Sequence, residues 1–237
     1  MELPKSISPN PLFTSTIEVR FTSNLNRYDL FEKINSVFRE KFPTIEEGKI
    51  PQELKDHEEQ FKYAPDFILK NDDFVISFST KSISFEHVSE YTYWTNYFSF
   101  IKNSLEKVFE LGFIESIDRC GVRYGSILDG QQNPNNVLKE TPRMDINNMQ
   151  SEFNGFQCIF NTDISKLFLQ ISTNVKLVKE GVTKTGLYVD IDASYAKELK
   201  PNNEVFAIID KLHKDQKELF FGLLKKEYLE TLNPKYN

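Results

Sequence analysis

Alternation between apolar and polar side chains is the sequence feature that most limits how this chain can fold. Within residues 12–21, Ile17 and Val19 fall on one side of an extended backbone, while Glu18 and Arg20 fall on the other. A period of two is typical of a strand that buries one face and exposes the other. Similar alternation returns later, within residues 74–87, 113–128, 155–161, 167–178 and 186–195. The sequence therefore predicts a sheet-rich protein.

Apolar residues at helical spacing predict three main helices between these strands. The first follows a capping residue at Asn26, the second spans about 92–111, and the third follows Asn202-Asn203. The first half therefore has the order strand, helix, two strands, helix, strand, which is that of a ferredoxin-like unit. We expect an α+β fold in which a curved, largely antiparallel sheet carries the three main helices mostly on one face.

The length of 237 residues is compatible with one large domain, so we expect a single α+β domain over residues 1–237. A polar, Asn-rich loop over residues 129–149 suggests two sub-halves, 1–128 and 150–237. Residues 44–73 are rich in Glu, Lys and Pro and show weak periodicity. They are interpreted as a long excursion with one short helix, either mobile or carrying binding contacts.

Charge and apolar patterning exclude several classes of partner. With 29 Lys and Arg residues against 35 Asp and Glu residues, the net charge is −6, so duplex nucleic acid is not an expected partner. No apolar run approaches the ~20 residues of a transmembrane helix, and the first residues lack the pattern of a signal peptide. We therefore expect a cytoplasmic protein without membrane contact, and the sequence leaves a homodimer open.

The sequence also lacks the common motifs for cofactors and metals. Cys120 and Cys158 stand apart, which does not match a zinc site or a redox dithiol. None of the nine glycines belongs to a phosphate-binding loop of the dinucleotide or nucleoside triphosphate type. We therefore expect no cofactor and no bound metal, and two buried, reduced thiols.

The most informative stretch is the strand predicted at residues 117–125. One of its faces carries Arg119 and Arg123, with Gly121 and Gly125 beside them, whereas the other face is apolar. Guanidinium groups suit carboxylates and phosphates, and glycines leave space over a sheet. This face could bind a small anionic ligand or an acidic protein partner. The alternative is that the arginines form internal ion pairs.

Acidic residues that could pair with these arginines lie on two other predicted strands. Asp190 and Asp192 share one face, with Cα atoms ~6.6 Å apart along a strand. Glu18 and Arg20 share one face of the first strand in the same way. Two like charges at this distance favour a cation beside them, either arginine or a metal ion such as Mg²⁺.

Two functional hypotheses follow from these residues. The first is a non-enzymatic binding or regulatory module that recognises a protein partner or a small anionic ligand through a polar groove on the sheet. In this module Arg119 and Arg123 bind the partner or ligand, and the aspartates orient the arginines. The alternative is a metal-dependent phosphoester hydrolase, with Asp190, Asp192 and Glu18 as metal ligands and the arginines stabilising phosphate charge. A purely structural role for the ion pairs is the third interpretation.

The order of several short motifs resembles a sporadically distributed family of uncharacterised prokaryotic proteins of similar length. These motifs are Pro11-Leu12 with Glu18, Phe42-Pro43, Tyr93-Trp94 with Phe98, Arg119-Cys-Gly-Val-Arg-Tyr124, Asp190-Ile-Asp192, and Leu212-His213 with Phe220. Two positions depart from the family pattern, Gly125-Ser126 where an Asn is usual and Tyr93 where a Gly is usual. The resemblance implies a cytosolic prokaryotic protein and brings no known activity.

Overall fold

The α+β class and the antiparallel sheet are confirmed by the computed structural model, which describes residues 2–89, 91–140, 154–179 and 181–236. The strands of this part of the chain form a sheet that does not close, and three of its five helices are 12 to 20 residues long. No helix within these ranges combines the length and the apolar character that a membrane span requires.

The strands are β1 (Leu12–Thr22), β2 (Thr44–Glu47), β3 (Phe67–Lys70), β4 (Phe74–Ser79), β5 (Ser82–His87), β6 (Ser116–Asp129), β7 (Gly155–Asn161), β8 (Lys166–Lys179) and β9 (Val182–Tyr195). The helices are α1 (Arg27–Phe38), α2 (Gln52–His57), α3 (Tyr93–Glu110), α4 (Glu204–Leu223) and α5 (Lys226–Thr231), with short 3₁₀ helices at Glu59–Phe61 and Pro134–Asn136. The strand order across the sheet is β2-β3-β4-β5-β1-β6-β9-β8-β7.

Contacts group the chain into two compact units, which are described separately. The first unit comprises Met1–Ser15, Arg123–Ala193 and His213–Asn237. The second unit comprises Thr16–Val122 and Ser194–Leu212. Each unit therefore draws on segments that are distant in sequence.

In the second unit, the strand register places the apolar side chains in one continuous row. Ile17 of β1 pairs with Phe85 of β5, and both are fully buried. Helix α3 packs on this row, and its buried Tyr97 donates a hydrogen bond of 2.6 Å to the Phe85 carbonyl oxygen. The opposite row of β1 carries Glu18 and Arg20, so core burial turns the charged residues to the other face.

Residues 44–73 are more regular than the sequence predicted. Instead of one short helix they form β2, α2, a 3₁₀ helix and β3, and the two strands pair antiparallel. Each of these strands has only four residues, and all of β2 is exposed, so neither produces a long alternating pattern. Lys55 of α2 and Asp66 form a buried ion pair of 2.6 Å that joins the helix to the start of β3.

The polar loop expected at 129–149 is only partly visible, because residues 141–149 lie outside the described residues. The preceding stretch is anchored within the first unit rather than projecting freely. The Lys139 backbone N–H donates to the Leu223 carbonyl oxygen, and the Lys225 ammonium donates to the Asn135 carbonyl oxygen at 2.5 Å. This stretch therefore packs against the end of α4.

Replacing Lys55 by Met should destabilise the protein strongly. The substitution leaves the Asp66 carboxylate buried without its cation, which costs about 3–5 kcal/mol of unfolding free energy. The double variant Lys55→Met/Asp66→Leu should regain most of this loss, because it removes both charges. Lys62→Met, which breaks an exposed pair with Glu59, is the control and should change little. Urea denaturation measures all four proteins, and equal losses at Lys55 and Lys62 would contradict the prediction.

Candidate functional site

The first candidate cluster lies in the second unit, on the polar face of β1 and β6. The Glu18 carboxylate oxygen Oε1 accepts hydrogen bonds from the Nε of Arg20 at 2.5 Å and from an Nη of Arg119 at 2.9 Å. All three side chains are partly buried. We call Glu18, Arg20, Arg119 and Tyr63 the Glu18 cluster.

The local sequence explains why these side chains meet. Glu18 lies opposite Ser84 and Arg20 lies opposite Ser82 in the β1–β5 register. Serine side chains are short, so the long charged side chains of β1 extend over β5 without a steric conflict. The charged and aromatic neighbours of Arg20 therefore determine its conformation, and steric contact with β5 does not.

Tyr63 provides the aromatic neighbour of Arg20. The guanidinium carbon of Arg20 lies 3.8 Å from the centre of the Tyr63 ring, a cation–π contact. The Tyr63 backbone is itself tied to β5, because its carbonyl oxygen accepts a hydrogen bond from the Ser82 hydroxyl. The segment 44–73 thus contributes a side chain directly to the charged face.

Arg20 keeps unused hydrogen-bonding capacity. Its contacts to the described residues use Nε, on Glu18, and the face of the guanidinium, on Tyr63. Its two terminal nitrogens make no hydrogen bond to these residues, and neither is among their buried unsatisfied atoms. The side chain is 29% exposed. Arg20 therefore presents a fixed pair of donors toward solvent.

The second candidate cluster lies in the first unit. Arg123 of β6 donates to both carboxylate oxygens of Asp190 on β9, with distances of 2.6 to 3.1 Å. The Asp190 side chain is only 3% exposed, whereas Arg123 is 59% exposed. The hydrogen bond to Asp190 raises the pKa of Arg123, although burial opposes it, and the charges of Asp190, Tyr188 and Asp192 add to the increase.

The space expected above the two glycines is occupied by the chain itself. A β-carbon at Gly121 would overlap the Arg119 guanidinium, and one at Gly125 would overlap the hydroxyls of Tyr188 and Thr14. A hydrogen bond links these two hydroxyls, and burial together with the charge of Asp190 raises the pKa of Tyr188. The glycines therefore make room for an arginine and a tyrosine of the same protein, not for a ligand.

The predicted site residues are distributed over the two units. The structure brings Glu18, Arg20 and Arg119 together in the second unit, and Arg123 and Asp190 together in the first unit. The sixth residue, Asp192, is partly buried on β9 and lies close enough to raise the pKa of Arg123.

Sequence reasoning missed three residues that complete the clusters. Tyr188 could have been predicted from the sequence, because residues 188, 190 and 192 share one face of a strand. Thr14 and Tyr63 carried no comparable signal. Tyr63 lies in an irregular connection, where periodicity says nothing about direction.

Two of the three carboxylates that a metal-dependent hydrolase would use, those of Asp190 and Glu18, are paired with arginines. Both oxygens of Asp190 accept from Arg123, and Oε1 of Glu18 accepts from two arginines. Among the residues that the structure describes, no group of three or more His, Cys, Asp or Glu side chains could hold a metal ion. These contacts favour ion pairing over metal ligation for Asp190 and Glu18.

Two titratable groups outside the clusters have strongly shifted pKa values. Burial raises the pKa of the Cys120 thiol to about 12, which makes it an unreactive core residue. Burial and the nearby Lys217 lower the pKa of His213 to about 3. The second thiol, Cys158, is only half-buried, so the expectation of two buried cysteines holds for Cys120 alone.

Comparison with known proteins adds no identity. A scan against protein-family models finds no match for this sequence, and a search of curated proteins finds none either.

The two glycines should differ in their tolerance of a methyl group. Gly125→Ala should cost about 1–3 kcal/mol of unfolding free energy, because the new methyl group meets a tyrosine held by a hydrogen bond. Gly121→Ala meets only the end of the flexible Arg119 side chain and should cost less. Adding Tyr188→Phe to Gly125→Ala should recover part of the loss, because it removes the overlapping hydroxyl. Urea denaturation compares the variants, and equal losses at both glycines would contradict this account.

His213 should make stability fall as the pH decreases. Its pKa is about 3 in the folded protein, below the ordinary value of about 6.5, so only the unfolded chain takes up a proton between these values. The contribution is fully present above pH 6.5, and between pH 7 and pH 5 the free energy of unfolding should fall by about 1–2 kcal/mol from this residue. Denaturation at both pH values should show a smaller decrease for His213→Gln. An unchanged decrease would assign the effect to other groups.

Proposed function

We propose that this protein is a non-enzymatic binding or regulatory module that recognises an anionic group through the Glu18 cluster. The anionic group is a carboxylate or a phosphate, carried by a small ligand or by a protein partner. The observation that supports this function is the state of Arg20, whose terminal nitrogens have no hydrogen-bond partner among the described residues while the rest of its guanidinium is held in place.

The geometry of Arg20 suits an anion for a physical reason. The two terminal nitrogens of a guanidinium form a planar fork that matches the two oxygens of a carboxylate or phosphate. Glu18 holds one edge of the guanidinium and Tyr63 covers one of its faces. Little conformational entropy remains to be lost on binding, so each hydrogen bond to the anion contributes more of its energy to affinity.

Arg123 is a weaker candidate for the same task. Three of its donor contacts already go to Asp190, which is almost completely buried. Breaking this pair to bind a ligand would leave a carboxylate buried without its cation, which costs several kcal/mol. We therefore assign Arg123 and Asp190 a structural role, and Arg20 the binding role.

The non-enzymatic assignment is supported by how the acidic groups are used. A carboxylate held by guanidinium groups is a poor metal ligand, because its charge is already compensated. Glu18 and Asp190 are both in this state. No contact of the described residues favours the metal-dependent phosphoester hydrolase.

We also propose a ferredoxin-like unit built from β1, α1, β4, β5, α3 and β6. The sheet order β6-β1-β5-β4 supports this unit, because the four strands of a ferredoxin-like unit lie in this order across the sheet. Packing of Phe31 from α1 on Phe78 and of Phe100 from α3 on Phe74 supports a common face for these two helices. The resemblance to the prokaryotic family supports a cytoplasmic location.

Anion binding at Arg20 can be tested with inorganic phosphate and succinate as probes. At ten times the dissociation constant, either probe should raise the unfolding free energy by about 1.4 kcal/mol. The gain should be absent in Arg20→Gln and retained in Arg39→Gln, which removes the same charge at an exposed position. Thermal and urea denaturation measure the gain. Equal gains in all three proteins would overturn the assignment.

A protein partner is tested by affinity purification from the source organism. Wild type and Arg39→Gln should retain the same acidic protein, and Arg20→Gln should lose it. If neither the small probes nor any protein distinguishes Arg20→Gln from Arg39→Gln, the Glu18 cluster is structural and the proposed function is wrong.

A further inference from the structure

Among the described residues, β7 is an end strand of the sheet, and its own sequence lacks the features that usually protect an edge. Within the described residues its strand neighbour is β8. Residues 155–161 contain no charged side chain and no proline. Soluble proteins normally place charges, proline or a bulge on an exposed edge to prevent pairing with another chain. The opposite edge strand, β2, follows this rule, because it carries Glu46 and Glu47.

The row of apolar core side chains in the first unit continues from β8 onto β7, where it is partly exposed to solvent. On β8, the side chains of this row are buried, with exposed fractions of 5% for Leu167, 1% for Leu169 and 5% for Ile171. The residues opposite them on β7 are Phe160, Cys158 and Phe156, in that order. Phe160 is 40% exposed and the other two are partly buried. The row therefore ends on a surface that remains apolar.

The hairpin that presents this edge is held firmly. The turn between β7 and β8 closes with a hydrogen bond of 2.8 Å from the Thr162 backbone N–H to the Ser165 carbonyl oxygen. The Ser165 hydroxyl donates to the buried carboxylate of Asp215 on α4 at 2.7 Å. A rigid edge loses little conformational entropy when a second strand joins it.

We propose that two copies of the protein pair antiparallel along β7, about a two-fold axis at Cys158. In this register, Phe156 lies opposite Phe160 of the second copy, and Gln157 lies opposite Ile159 of the second copy. Ile159 is 51% exposed in the single chain. Aromatic pairs across antiparallel strands stabilise a sheet, and no like charges oppose each other, since the strand is uncharged.

The sequence of β7 favours a second copy as the occupant of this edge. The two-fold axis lies at the central one of the seven residues of β7. Each residue then lies opposite the residue at the same distance on the other side of the centre, so both phenylalanines lie opposite a phenylalanine of the second copy. A strand pair of this length is smaller than a stable interface of about 1,200–2,000 Å². We therefore expect a weak dimer that forms at micromolar concentrations. This dimer does not depend on the proposed anion binding.

Sedimentation velocity over about 1–100 µM tests the dimer with matched variants. Wild type should shift toward the dimer as the concentration rises, and Ile159→Lys should weaken dimerisation at least tenfold, because it places a charge on the edge. Ile45→Lys introduces the same charge on the opposite edge strand at a similarly exposed position, and it should dimerise like wild type. Gln157→Lys is a second variant in case Ile159→Lys does not fold, as judged by circular dichroism.

The register is tested with a short bis-maleimide cross-linker. Wild type should give a covalent dimer through Cys158, and Cys158→Ser should give none, because Cys120 is buried and unreactive. A monomer at the highest concentration would overturn the proposal. So would a dimer that resists Ile159→Lys and Gln157→Lys, or a dimer without the Cys158 cross-link, because either places the interface elsewhere.

Discussion

Burial of one side-chain row on β1 is the constraint on which the charged face depends. In β1, Ile17 and Val19 are fully buried and lie opposite apolar residues of β5. Since successive side chains of a strand point to opposite faces, Glu18 and Arg20 must then lie on the other side. The core therefore dictates where the charges lie, before any interaction with a ligand is considered.

Charges placed on a partly buried face need partners, and the two clusters meet this need differently. Asp190 is almost completely buried, and Arg123 neutralises it through both oxygens. Glu18 is shared by two arginines, and one of them, Arg20, retains donors that no described residue uses. Counting donors and acceptors thus separates an ion pair whose buried carboxylate is fully satisfied from an arginine that keeps unused donors.

Long elements could be predicted from the sequence, whereas short or irregular ones could not. The alternation of β1 and the helical spacing of α3 each extend over several periods, so local sequence identifies them. Strands β2 and β3 have four residues each, too few to show a period. The position of Tyr63 over Arg20 depends on the path of a whole segment, which a buried pair between Lys55 and Asp66 anchors.

The sequence by itself determined the class of fold and the set of charged residues that share a strand face. It did so because side-chain direction along a strand depends only on local geometry. Only the tertiary structure decided which charges meet, and that the space above Gly121 and Gly125 is filled by Arg119 and Tyr188. Strand order and register determine these contacts, and both depend on burial of the whole core, since no single segment encodes its neighbours.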